Sequence, residues 1–216
     1  MSPEGEIVEL RDGSRMLMRP IRSEDKEAIA AGFARLSAKS RYRRFFAPLT
    51  ELGADELAYL TEVDHHDHEA MIGFDVDSGE PIGVARFIRS AEPHEAEVAV
   101  TVVDHRQGRG AASALLDRLI VRAREEEITH FLAVVLHDNR GAIEMFDSIA
   151  PPGSVRRHTA SGHVELVIEL PAPGTPTRES KLGRTLRAAA RGVLEANPWY
   201  LIRERIGRGA EGITDR

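Results

Sequence analysis

Eleven residues, Val102-Val103-Asp104-His105-Arg106-Gln107-Gly108-Arg109-Gly110-Ala111-Ala112, lead from an apolar β-type run directly into a helix. Successive backbone N–H groups at a Gly-rich helix entrance form a concave anion site, and the positive end of the helix dipole favours phosphate there. Gly108 and Gly110 allow the main chain to come close to a ligand, and Ala111 and Ala112 keep the first turn small. The helix itself is legible in Leu115, Leu116, Leu119, Ile120 and Ala123, which form one apolar stripe, with Asp117, Arg118, Arg122 and Arg124 mostly off it.

Two familiar phosphate loops do not fit. A nucleotide P-loop ends in Gly-Lys-Ser/Thr, which is missing here, and a dinucleotide fingerprint would follow the first strand of a βαβ unit and close on a third Gly or Ala. Gly108-Arg109-Gly110-Ala111-Ala112-Ser113 closes on Ser, and roughly a hundred residues precede it. Gln107-Gly108-Arg109-Gly110-Ala111-Ala112 instead resembles the Gln/Arg-x-x-Gly-x-Gly/Ala pyrophosphate loop of the GNAT superfamily of N-acetyltransferases.

The flanking segments resemble the same superfamily. Phe131-Leu132-Ala133-Val134-Val135-Leu136 reads as a short buried strand. The following Asn139-Arg140-Gly141-Ala142-Ile143-Glu144-Met145-Phe146 is similar to a second signature, Asn-x-x-Ala followed by Leu-Tyr. By that resemblance Asn139 holds the pantetheine arm between two diverging strands; by its chemistry alone it caps the helix. Phe146 stands where many members carry a Tyr that protonates the departing thiolate. Ala96-Glu97-Val98-Ala99-Val100 resembles the strand bearing the catalytic glutamate in bacterial protein-lysine acetyltransferases, which implies Glu97 as general base, with Glu95 as surface charge. Glu97 lies about ten residues before the phosphate loop, and an extended strand carries it away from the phosphates toward the thioester end. Backbone N–H groups around Val102 and Val103 are the candidate oxyanion donors.

Composition agrees with such an enzyme. The 216 residues suffice for one well-buried domain plus an appendage, and the absence of Cys excludes disulfides and thiolate metal sites. The N-terminus lacks a signal-peptide pattern and no apolar run spans a bilayer, so a cytoplasmic location is expected. The net charge of −6 argues against a general nucleic-acid binder. Asp64-His65-His66-Asp67-His68-Glu69 has no recognisable metal-ligand spacing and reads as a polar loop; it also resembles a linker bordering the acceptor site in the lysine-acetylating branch. Arg41-Tyr42-Arg43-Arg44-Phe45-Phe46 mixes basic and aromatic residues as nucleic-acid sites do, but reads better as an amphipathic turn burying Tyr42, Phe45 and Phe46. By resemblance to the same branch it walls the acceptor cleft.

Along the chain, strands are expected over Ile7–Leu10 and Arg15–Pro20 around an Asp12-Gly13 turn, followed by a helix capped by Ser23 and running to Leu36. Two short helices (Arg41–Phe46, Ala54–Val63), strands at Ala70–Asp75 and Ile82–Ile88, and a last hairpin near Ser154–His158 and Val164–Leu170 complete the pattern. This order implies an α+β GNAT fold over residues 1–170, a mixed, mostly antiparallel sheet flanked by helices. Residues 171–216 read as a Pro-rich linker and a basic amphipathic helix over Arg178–Ala196, docked on the acidic body rather than on a membrane. No cyclic-nucleotide-binding or acyl-CoA-synthetase-like module is expected within the chain.

The expected activity is transfer of the acetyl group of acetyl-CoA to a primary amine in a ternary complex, with a protein lysine as acceptor and no metal. A small amine as acceptor, or a non-catalytic acetyl-CoA sensor given Phe146, are the alternatives.

Overall fold

A computed structural model describes residues 5–160 and 162–172. The elements are β1 (Glu6–Glu9), β2 (Arg15–Pro20), α1 (Lys26–Ala34), α2 (Ala38–Phe45), α3 (Ala54–Thr61), β3 (His68–Asp75), β4 (Pro81–Arg89), β5 (Glu95–Val102), α4 (Ala111–Glu125), β6 (His130–Leu136), α5 (Arg140–Ile149), β7 (Val155–Ala160) and β8 (His163–Glu169). The expected C-terminal linker and helix lie outside the described residues, apart from Pro171 and Ala172.

One sheet of eight strands has the order β1-β2-β3-β4-β5-β6-β8-β7. Every neighbouring pair is antiparallel except β5 with β6, the two strands joined by the crossover through α4. Strand alternation distributes side chains to two cores. Ala96, Val98, Val100 and Val102 of β5 pack with Leu115, Leu116 and Leu119 of α4 and with Phe146 of α5. The opposite face carries the smaller core, where Ile29 and Phe33 of α1, Phe45 of α2 and Leu60 of α3 cover Ala70 and Ile72 of β3. Leu115, Leu116 and Leu119 are fully buried, and each contributes roughly 1.5–3 kcal/mol relative to exposure.

Two local expectations need correction. Ser23 caps nothing: residues Ser23–Asp25 form a 3-10 turn before α1. Asp25 does the fastening, accepting from the Arg22 backbone N–H at 2.8 Å and from both Nη atoms of Arg19 at 2.7 and 2.6 Å. These bonds hold its carboxyl below the ordinary value against the opposing effect of burial. The second correction concerns α2, which starts at Ala38 with Ser37 as its cap (Ser40 N–H to Ser37 Oγ, 3.1 Å). Tyr42 is exposed, whereas Arg43, Arg44 and Phe45 are buried. Arg41 and Arg44 lay their guanidiniums over the rings of Phe33 and Phe45, and such desolvated cation–π contacts let an arginine-rich face turn inward.

Candidate active site

The phosphate loop is built from β5 outward. After Val103 the chain makes a 3-10 turn over Asp104–Arg106, Gln107 is extended, and Gly108 and Gly110 take φ values of +74° and +94° before α4 begins at Ala111. A Cβ at Gly108 would meet nothing, so the positive φ alone calls for glycine there. At Gly110 a Cβ would lie 3.2 Å from Cγ of Arg11, so the loop also packs under the β1–β2 hairpin. That hairpin clamps the loop: the Arg11 N–H donates to the Arg109 carbonyl at 2.9 Å, and the Arg109 guanidinium pairs with Asp12 at 2.5 Å. Bonds from Ser14, then Arg109, lower the Asp12 pKa. The first turn of α4 carries no acidic side chain that would oppose an anion.

The loop is braced on its other flank by Asp104, which accepts from Ser37 N–H at 2.7 Å, Ser37 Oγ at 3.1 Å and Ser40 Oγ at 2.6 Å. Although burial acts to raise its pKa, these bonds hold the carboxyl below its ordinary value. Arg106 reaches Asp75 at 2.6 Å. His105 stands 3.1 Å from Arg35, and burial, with the nearby arginines, pushes its imidazole below the usual value. The Gln107 side chain ties the loop back to its own strand, Nε2 donating to the Val102 carbonyl at 2.9 Å. Ala111 and Ala112 are buried, and the Gly110 carbonyl accepts the Ala114 N–H at 3.0 Å.

A wedge opens beside this loop. β5 and β6 pair only at Glu95 with His130, Ala96 with Phe131 and Glu97 with Leu132. Beyond that rung β5 continues to Val102 and β6 to Leu136 without further pairing to each other. From Glu97 to Val102 the strand runs about 17 Å at ~3.3 Å per residue. The Val103 N–H donates to the Ile82 carbonyl at 2.9 Å. Peptide groups alternate sides along a strand, so those of Thr101 and Ala99 also face β4, and those of Val98, Val100 and Val102 face β6. The parallel Glu97–Leu132 rung takes the Val98 N–H onto the Leu132 carbonyl, which leaves the amides of Val100 and Val102 facing the wedge. The expectation of an oxyanion donor at Val103 is thereby corrected, because its amide is already committed; Val100 is the nearest uncommitted wedge-facing amide to Glu97.

Glu97 is half-buried on the α1–α3 face of the sheet, at the apex of the wedge. Asn139 is buried and caps α5, its Oδ1 accepting the Ala142 N–H at 3.4 Å. Phe146 is fully buried in the larger core, so no hydroxyl is available at that position. Sequence reasoning missed a tie across the region: Arg43 of α2 pairs with Asp138, immediately before Asn139, at 3.0 Å. The basic run was visible, but its partner 95 residues away was not. Residues His65–Asp67 form a loop leading into β3, whose first residues are His68 and Glu69, and it is tied down by His65 to Glu69 at 2.8 Å and Arg122 to Glu69 at 3.0 Å. Among the described residues no cluster of His, Asp and Glu is arranged to hold a metal, and no helix is long and apolar enough to cross a membrane.

The sequence profile described as "Acetyltransferase (GNAT) family" matches residues 22–149. The chain is 35% identical over 192 residues to Acetyltransferase Pat of Mycolicibacterium smegmatis, a match covering 88% of this chain but 56% of that relative. It therefore spans about half the length of that protein. An acetyltransferase of Pseudomonas aeruginosa is 31% identical over 136 residues, 62% of this chain and 73% of that one. Among solved structures, the GNAT domain of PAT from S. lividans superposes with a TM-score of 0.70 at 33% identity, covering 79% of this chain and 99% of that domain. A cAMP-binding acyltransferase from Mycobacterium smegmatis gives 0.55 at 29% identity, covering 82% of this chain and 49% of its own.

Proposed function

The chain belongs to the acetyltransferase (GNAT) family, and we propose that it transfers the acetyl group of acetyl-CoA to a primary amine, with a protein lysine as acceptor. The observation that carries this reading is the splay of β5 from β6 immediately after the Glu97–Leu132 rung, beside the glycine-rich entrance to α4. The backbone of Gln107, Gly108, Arg109, Gly110, Ala111 and Ala112 receives the diphosphate. The pantetheine lies along the wedge-facing groups of Val98, Val100 and Val102, between these and the wall capped by Asn139. The side chains of Gln107 and Arg109 hold the loop in shape.

A lysine amine with pKa near 10.4 is about 3.4 units from neutral at pH 7, which costs roughly 4.6 kcal/mol to present the nucleophile. The ammonium first loses one proton to solvent, and Glu97, directly or through one water, takes the second from the nitrogen as it attacks the thioester carbonyl carbon. The wedge-facing amide of Val100 stabilises the oxyanion, and collapse breaks the C–S bond. Phe146 cannot donate a proton, and the CoA thiol, with a pKa of about 8.5 like a free Cys, leaves as the thiolate.

The lysine acceptor is supported by likeness to the Pat and PAT proteins. Free CoA thiol, measured with a lysine-bearing protein pool and with a small-amine pool, tests the reading. Release dependent on the protein pool is expected; release with small amines alone would transfer the acceptor role to them, and no release with either would leave a binding protein.

A further inference from the structure

The α1–α3 face of the sheet holds a cavity of about 70 Å³ with an open mouth, between α1, α2 and the β4–β5 pair. Ile29, Phe33, Phe45 and Leu52 give it apolar walls, and three polar side chains, Arg44, Arg86 and Thr101, line it as well. Register places Arg86 beside Ala99 and Val84 beside Thr101, so Arg86 and Thr101 are diagonal neighbours on one face, roughly 7–8 Å apart at Cα. The cavity cannot be closed at Gly83, where a Cβ would lie 2.5 Å from the Thr101 carbonyl.

Its polar lining is unusual in charge. Arg86 is 3% exposed, and its bonds go to neutral groups: Nη2 to the Leu60 carbonyl at 3.0 Å, and Nη1 beside His68 Nε2 at 3.1 Å. Among the described residues no carboxylate pairs with it. Arg44 is also buried and close enough to act on it as a like charge. Burial together with Arg44 lowers the Arg86 pKa to about 9, and burial beside Arg86 lowers that of His68 to about 3, so His68 offers no further charge. The Thr101 hydroxyl is buried without a hydrogen-bond partner. A buried cation without a counter-ion costs several kcal/mol, and an orphaned hydroxyl adds to that cost. One anionic occupant with an acceptor oxygen would relieve both.

We propose that this cavity binds a small carboxylate with a short apolar body, its oxygens taken by Arg86, Arg44 and Thr101 and its carbons by the Ile29–Phe33 wall. An engineered cavity of about 150 Å³ holds benzene, which has as many non-hydrogen atoms as isobutyrate, so this smaller cavity encloses the carboxylate and the first carbons while the rest of a short body sits in its open mouth. The site does not depend on the transferase reading and is measurable without acetyl-CoA.

The test is calorimetry of isobutyrate, and of its neutral isostere isobutyramide, with the full chain. Isobutyrate should bind at least tenfold more tightly than the amide. Thr101→Val should weaken it about five- to tenfold, and Arg86→Met should abolish it. Arg86→Met should also melt no lower than the parent in the absence of ligand, because it removes an uncompensated charge. Equal binding of acid and amide, no binding of either, or undiminished binding by a folded Arg86→Met variant would overturn the proposal. If isobutyrate binds, two sources of the carboxylate are separable by CoA release. Acetylation of valine would assign it to the acceptor, and a change in the lysine-acetylation rate without consumption of isobutyrate would assign it to an effector; either outcome supports the site.

Discussion

Glu97 of β5 lies opposite Leu132 of β6 on the last rung that joins the two strands, and the sheet opens from that rung toward the phosphate loop. A carboxylate at the apex of the wedge is where an amine and a thioester would meet. Glu97→Gln should lower turnover at neutral pH by roughly a hundredfold, with acetyl-CoA affinity nearly unchanged. Raising the pH should restore part of the rate as free amine accumulates. A parent-like pH–rate profile in the variant would move the base elsewhere.

The loop supplies a second prediction. Gly110 has φ +94° and lies under Arg11. Gly110→Glu forces a side chain into that backbone region, places a carboxylate where an anion should bind, and displaces Arg11. It should cost about 1–3 kcal/mol in stability and eliminate acetyl-CoA binding. Thermal melting and calorimetry on the same sample check both; near-parental affinity would exclude the loop as the diphosphate site.

Arg43 and Asp138 differ in burial: the arginine side chain is 7% exposed and the aspartate 60%. Removing the carboxylate leaves a buried cation without its partner, whereas removing the arginine leaves a solvated acid. Asp138→Asn should therefore destabilise by about 1–2 kcal/mol, the partner's exposure moderating the cost, and more than Arg43→Met does. Urea denaturation of the two variants gives the order directly.

Much of the fold was legible because its signals are local. The α4 stripe, the Asp-Gly hairpin and the Gly108–Gly110 loop depend on residues within a turn or two of one another, and each stands where the sequence placed it. The inward turn of α2 was not legible. An eight-residue helix with three arginines reads as a solvated face until Asp138 and Phe33 are known to lie against it. The committed amide of Val103 was equally hidden, since strand parity is fixed only by the register with β4. The cavity was invisible for the same reason: Arg86, Arg44 and Thr101 meet only through sheet register and helix packing.

His68 provides a pH signature. Its value in the fold, about 3, is below the ordinary 6.5, chiefly through burial and then through Arg86. The unfolded chain therefore takes up this proton first. The stability contribution is whole above about pH 6.5 and is lost as the pH falls from there toward 3, at no more than roughly 1.4 kcal/mol per unit. His68→Gln, which retains an acceptor for Arg86, should flatten that acid limb in urea titrations between pH 7 and pH 4. An unchanged slope would show that His68 is protonated in the fold.

Hydrogen–deuterium exchange with and without acetyl-CoA tests the central claim most directly, because neighbouring amides of one strand should respond differently. The amides of Val100 and Val102 face the wedge, and those of residues 108–113 belong to the loop and the first turn of α4; these should become protected when acetyl-CoA binds. The Val103 amide, already bonded to Ile82, should change little. Protection confined to other elements, with the β5 and loop amides unaffected by saturating acetyl-CoA, would contradict the wedge as the cosubstrate site.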